Sequence, residues 1–413
     1  MALTRTEVSI SMLKFKKLVA AAAVATLTIG LAACSSGGSS NTNSSGSSQP
    51  YQVLFMGGTS GFVATLAQAQ LAGYQAGAAD INAHGGINGR QIEITSVDTA
   101  ADATKATSLL TQALSSSTPP DLVIPGTTSA ETLALLPQLT RSKILGMSES
   151  ASNSINNPAS YPYGFSVSVG QTLPAQALAQ YVKSQGYKTV GILAASDETG
   201  TAGSTALQTA VQGVGLTANV VSYDAAAVDV SPELEKLRSG NPDVMLYIAN
   251  GAQIPVILKS RQKIGWTVPT IADLSTGSND IWQLADGDPA KGTSAMVYPI
   301  QAYVDPSAQT EEFKNFNTEL ATVGVPPYTS SLSLYGLAWD IMHLVQAGAK
   351  QANSTAGPDI AKALENLQQP SPQPWAVFTD ETFSPTNHFL APDASQFKVV
   401  AVGPTVDGMI KSN

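Results

Sequence analysis

Gln52-Val53-Leu54-Phe55-Met56, followed by Gly57-Gly58-Thr59-Ser60-Gly61, is an apolar run of strand length that breaks into small and hydroxylated residues. The next stretch, 64–83, has a different period. Leu66, Leu71, Tyr74 and Ala78 recur there at helical spacing, and Ile81 ends the apolar face. Gly85-Gly86 stops this helix, Asn88-Gly89 makes a turn, and 91–97 alternates as a strand. The same alternation continues outward through helix 101–114, strand 122–125, helix 129–140 and strand 143–147. A second series follows: helix 173–185, strand 189–194, helix 203–214, strand 218–222, helix 232–239, strand 244–248, helix 253–264 and strand 270–272. Strands alternating with helices of this length predict an α/β fold with parallel sheets covered by helices on both faces. Two series predict two Rossmann-like lobes.

The second series must leave the first lobe, and the chain later returns to it. A three-crossing hinge is therefore expected, with crossings near Gly170, near Pro299 and within 368–378. The expected N-terminal lobe is 51–169 plus 300–367, and the C-terminal lobe is 170–299 plus 368–413. The long apolar helix 332–349, which carries Trp339, reads as core, and the Pro/Gln-rich stretch 368–374 as a linker.

The residues ahead of this fold follow a separate logic. The single cysteine of the chain, Cys34, is preceded by Lys14, Lys16, Lys17 and an apolar run from Leu18 to Leu31. A Gly/Ser/Asn stretch from Ser35 to Ser48 follows it. A basic start, a short apolar core and small residues at a cleavage point are the parts of a secretory signal. The apolar run of about 14 residues falls short of the roughly 20 that span a hydrocarbon layer. Leu31-Ala32-Ala33-Cys34 resembles a bacterial lipoprotein box. That resemblance implies a signal peptide over 1–33, a lipidated Cys34 and a flexible tether over 34–50. Met12 is the expected natural start. About 380 residues remain after cleavage, which exceeds one ordinary core and suits two lobes of roughly 150–200 residues.

Composition narrows the partners. Hydrophobic residues make up 43% of the chain and charged residues 12%, a globular balance. The net charge is −9 with no basic block after the signal, which argues against nucleic acid. No cysteine follows Cys34, so disulfides and thiolate metal sites are not available to the mature fold. His84, His343 and His388 are far apart and outside any HExxH pattern, so neither a metal nor a cofactor is expected.

Enzyme signatures are absent from the sequence. Gly146-Met147-Ser148-Glu149-Ser150 and Gly164-Phe165-Ser166-Val167-Ser168 approach GxSxG but lack the last glycine of the tight elbow. No GxxxxGK[ST] cradle occurs, and Gly57–Gly61 departs from GxGxxG. With no nucleophile–base pair to name, the chain is not expected to be an enzyme. Three strands instead run into hydroxyl-rich loops: Thr59-Ser60, Thr127-Thr128-Ser129 and Ser148-Glu149-Ser150-Ala151-Ser152. In open α/β sheets ligands bind beyond the carboxyl ends of the strands, where helix N-termini offer free N–H groups. One such loop is explained by helix capping. Three at successive strand ends point to a ligand carboxylate or a similar acceptor group.

Ala79-Asp80-Ile81-Asn82-Ala83-His84-Gly85-Gly86-Ile87-Asn88-Gly89-Arg90 resembles the DINAAGGINGR segment of the branched-chain amino-acid-binding proteins, the type I periplasmic solute receptors of ABC transporters. Pro125-Gly126-Thr127-Thr128-Ser129-Ala130 and Ser148–Ser152 resemble that family's two ligand loops, and Asn241-Pro242-Asp243-Val244 its strand entry in the second lobe. The resemblance implies that Ser129, Ser150 and Ser152 hold a ligand carboxylate, that Asp273 stands at or one residue before the acid that meets a ligand ammonium, and that the 197–201 loop completes the site from the second lobe. Leu66, Thr199 and Asn250 stand where relatives often carry an aromatic wall. The implied ligand is an amino acid, branched-chain or other, or a related amide or organic acid. The implied role is a monomeric receptor, lipid-anchored on the extracytoplasmic face of the cell membrane, that hands its ligand to an ABC permease. A ligand sensor of the same fold feeding a signalling partner is the alternative.

Overall fold

A computed structural model describes residues 49–61, 63–370 and 372–411; the signal, Cys34 and nearly all of the tether lie outside the described residues. The first sheet contains β1 (Tyr51–Gly57), β2 (Ile92–Asp98), β3 (Leu122–Pro125), β4 (Leu145–Ser148) and β5 (Gly164–Ser166). Their order is β2-β1-β3-β4-β5, all parallel. The second sheet contains β6 (Thr189–Ala195), β7 (Thr217–Tyr223), β8 (Val244–Ile248), β9 (Thr270–Ala272) and β10 (Thr293–Val297). It runs β7-β6-β8-β9-β10 in parallel, with β11 (Lys398–Ala401) antiparallel on the β10 edge. Apart from β11, the two sheets share one strand order, so each has its switch point beside its first strand.

The helices α1 (Ala64–Ala83), α2 (Ala103–Leu114) and α3 (Ser129–Ser142) connect the strands of the first sheet. In the second, α4 (Thr172–Ser184) leads into β6, and α5 (Glu198–Gly213), α6 (Ser231–Ser239) and α7 (Gln253–Lys263) connect its strands. The short α8 (Leu274–Gly277) and α9 (Ile281–Leu284) follow β9. After β10 come α10 (Glu311–Thr322), α11 (Leu332–Ala352) and α12 (Gly357–Leu364).

Side-chain alternation along the central strands explains the layering. Tyr51, Val53 and Phe55 of β1 cluster with Tyr74 and Ile81 of α1 and Trp339 of α11, whereas Leu54 and Met56 cluster with Leu110 of α2 and Leu135 of α3. β6 divides in the same way: Val190, Ile192 and Ala194 meet Leu207 and Val211 of α5, and Leu193 and Ala195 meet the α6 and α7 side. α11 packs along α1, which returns the chain to the first lobe after β10.

Three features differ from the sequence reading. β5 was not anticipated as a strand. α5 begins at Glu198 rather than 203, capped by Asp197, whose carboxylate accepts the Gly200 N–H at 2.8 Å. The assignment of all of 368–413 to the second lobe also needs correction. Phe389 bridges Ser166 of β5, the Leu390 N–H donates to the carbonyls of Ser166 and Ser168, and the His388 ring stacks on Phe165 at 3.8 Å. The chain thus stays with the first sheet through Leu390, and the return to the second sheet lies within 391–397, ahead of β11.

Candidate ligand-binding cleft

The carboxyl ends of both sheets face a cavity of about 380 Å³ between the lobes, within the usual range for small-molecule sites. Its first-lobe wall is built at the switch point between β1 and β3. Gly58 N–H donates to Thr127 Oγ1 at 3.1 Å, which ties the two loops together. α3 opens with a capping box, in which Thr128 Oγ1 accepts the Glu131 N–H and the Glu131 carboxylate returns to the loop. Glu131 Oε2 takes the N–H groups of Thr127 and Thr128 at 3.1 and 3.0 Å, and its other oxygen accepts the Thr99 hydroxyl. The chain's own carboxylate therefore occupies the first amides of this turn. Ser129 comes next, lines the cavity, and its hydroxyl makes no hydrogen bond among the described residues.

The second-lobe wall uses the equivalent loops. Asp197 caps α5, and its other oxygen accepts Gln253 Nε2–H at 3.0 Å; Gln253 in turn accepts the Asn250 N–H at 2.9 Å. Asp273 caps α8, accepting the Thr276 N–H and hydroxyl at 2.9 and 2.6 Å, and burial pushes its carboxyl above the ordinary aspartate range. Tyr298, just before the second crossing, is buried against the cavity, and burial pushes its phenol well up.

The structure brings Ser129, Asp273, Leu66, Thr199 and Asn250 together around one cavity. Ser150 and Ser152 are not among the residues that line it, although Ala151 between them is. Ser150 is buried, with its hydroxyl bonded to that of Thr132 at 2.7 Å and its carbonyl accepting the Ser166 hydroxyl. Ser152 donates to Glu198 Oε1 at 3.2 Å, a contact between the lobes. Among the lining residues that the sequence reading did not assign are Glu149 and Gln70. Glu149 immediately precedes Ser150, accepts the Tyr74 hydroxyl at 2.9 Å, and has its carboxyl pushed up to about 8 by burial. Gln70 projects from α1. The spacing of α1 could have revealed Gln70, one turn beyond Leu66 on the same face. Among the described residues no group of three or more His, Cys, Asp or Glu side chains could hold a metal.

A family profile described as periplasmic binding protein matches residues 50–403. No curated protein matches the sequence. Among solved structures, a type 1 periplasmic binding protein from Bordetella pertussis Tohama I has a TM-score of 0.73 at 20% identity, over 86% of this chain and 96% of its own. An ABC-transporter solute-binding protein from Rhodopseudomonas palustris HaA2, in complex with p-hydroxybenzoic acid, has a TM-score of 0.74 at 16% identity, over 88% and 95%. A leucine-binding protein from Thermotoga maritima MSB8 has a TM-score of 0.65 at 17% identity, over 76% and 87%. At these identities the likeness is one of fold, two lobes around a cleft. Together with a profile that spans nearly the whole described chain, it places the protein in the periplasmic binding protein family.

Proposed function

We propose that this chain is an extracytoplasmic solute receptor, anchored through a lipid on Cys34, that encloses one small ligand between its lobes and delivers it, as a monomer, to an ABC permease. The observation that carries the reading is the cavity itself: it is of ligand size, is walled by the loops at both switch points, and has the unengaged Ser129 hydroxyl at the start of α3. That placement suits a carboxylate or similar acceptor group. The ligand class that fits is an amino acid or a related amide or organic acid. A thermal-shift screen across these classes tests the reading. A ligand at about 100 times its Kd adds roughly 2.7 kcal/mol to the folded state, and Ser129→Ala should remove most of that gain. A ligand unaffected by this change would be bound elsewhere.

The anchor is tested separately. Cys34→Ser should leave the protein folded and release it from membranes, because what is lost is a lipid attachment. Palmitate labelling that persists in the variant rules out Cys34 as the attachment point.

A further inference from the structure

A second, smaller pocket of about 300 Å³ lies at the amino ends of β9 and β10. Its walls are the segment 265–268 ahead of β9 and the segment 288–292 ahead of β10, with Arg261 reaching in from the last turn of α7. Because β9 and β10 run parallel and their carboxyl ends face the cleft, the two cavities sit at opposite ends of one sheet. Arg261 is only 7% exposed. Its Nη2–H donates to the Lys291 carbonyl at 3.1 Å, and its other N–H groups have no acceptor among the described residues. Asp288 also lines the pocket, but its carboxylate is taken by Lys291 Nζ at 2.6 Å. The other described arginines differ. Arg90 meets Asp121 with two N–H groups, Arg238 reaches Glu235, and Arg141 is exposed. Arg261 alone is a deeply buried guanidinium with no carboxylate in reach, and burial holds it below the usual arginine range. The carbonyl end of α7 supplies about half a negative charge, which does not neutralise a full cation withdrawn from water.

We propose that this pocket is a second binding site, independent of the cleft, for a small oxyanion carrying a carboxylate or phosphate group. The planar fork of a guanidinium matches two oxygens of either group, and such an anion gives Arg261 both the missing acceptors and the missing countercharge. The side chains that line the pocket favour this sign of charge: two cations, Arg261 and Lys291, stand against the single acid Asp288. Trp266, Val268 and Pro289 add apolar wall for a small body attached to the anionic group. The volume is at the low end of small-molecule sites, so the occupant is a compact anion. The inference goes beyond the receptor reading and does not depend on it.

The test titrates the mature protein with acetate, benzoate and inorganic phosphate at constant ionic strength, with Trp266 in the pocket wall as the fluorescent reporter. A saturable change is expected that persists in Ser129→Ala, a cleft variant. Arg261→Lys keeps the charge but removes the fork, and should weaken binding about tenfold or more. Thr267→Glu alters an exposed residue of the same pocket. It should abolish binding by offering Arg261 a carboxylate of the chain's own, and it keeps the test decisive if Arg261→Lys folds poorly. Saturation by the free anions identifies a soluble occupant. A response to phosphatidylglycerol vesicles alone, lost in Thr267→Glu, identifies a lipid headgroup carrying the same chemistry. No saturable response to any of these probes overturns the site, as does equal affinity in Thr267→Glu and the unaltered protein. A response lost in Ser129→Ala but intact in Thr267→Glu belongs to the cleft, which overturns the second site and leaves the receptor reading standing.

Discussion

Thr128 and Ser129 are adjacent hydroxyls at the start of one helix with different work. Thr128 closes the capping box with Glu131, so Thr128→Ala should lower stability by about 1 kcal/mol, the usual effect of losing an N-cap. Ser129 has no bond of its own to lose, so Ser129→Ala should leave the melting curve in place and weaken ligand binding by about 1.5–3 kcal/mol. Denaturant melts and calorimetry on the two variants separate the roles; equal loss of stability in both would merge them. Glu149 adds a pH signature in the empty protein. Its folded carboxyl titrates near 8 because it is buried, against about 4.3 in an unfolded chain. Between those values the folded state binds more protons than the unfolded one, so this group makes stability fall as pH rises, and the slope vanishes above about 8. Glu149→Gln should flatten that slope and gain on the order of 3 kcal/mol at pH 8.5 relative to pH 5. Melts of both proteins across this range check it; parallel curves would mean that Glu149 carries its charge without penalty.

Between elements, the α1–α11 contact holds the returning segment on the first lobe, and it depends on close backbone approach. A Cβ placed on Gly73 would stand 2.3 Å from the Tyr335 carbonyl oxygen. Gly73→Ala must push α11 outward, and should cost about 1–3 kcal/mol despite alanine's better helix propensity; an unchanged denaturation midpoint would show that the helices can slide. The same physics decides which elements could be read from sequence. α1, marked by its apolar residues and by the glycines that end it, was legible over its whole span, as were the apolar strands β3, β8 and β9. The first turn of α5 was hidden by Gly200, which reads as a loop residue but is there because a Cβ would lie 2.1 Å from the Ala195 carbonyl. β5, three residues long, is too short to show a period, and the 383–390 segment is fixed to it by His388 and Phe389, partners more than 200 positions away. At the site, hydroxyl-rich loops were legible as loops, but not which hydroxyls were free. Ser150 is held by Thr132, and Glu149 owes its burial to Tyr74, 75 residues earlier. Pairings at that range leave no local pattern.

For the whole molecule, function depends on what the two lobes do about their crossings. Two crossings, 167–171 and around Pro299, flank the base of the cleft through Gln171 and Tyr298, and one apolar cluster runs through this base into both lobes. At the mouth, Ser152 of the first lobe donates to Glu198 of the second. A bond there adds to the closed arrangement only, and a ligand gripped by Ser129 on one side and by Asp273 on the other adds to the same arrangement. The two should therefore reinforce one another through a hinge equilibrium. Ser152→Ala removes the contact with Glu198 at a residue that does not line the cavity. It should lower affinity by about 1 kcal/mol, roughly fivefold, acting mainly through faster release, and leave the melting temperature of the empty protein unchanged. Small-angle scattering gives the independent reading: saturating ligand should shrink the radius of gyration of the unaltered protein, and Ser152→Ala should require more ligand to reach the same compact value. An identical radius with and without ligand, together with unchanged release from Ser152→Ala, would mean that the cleft fills without closing and that the Ser152–Glu198 contact has no part in retention.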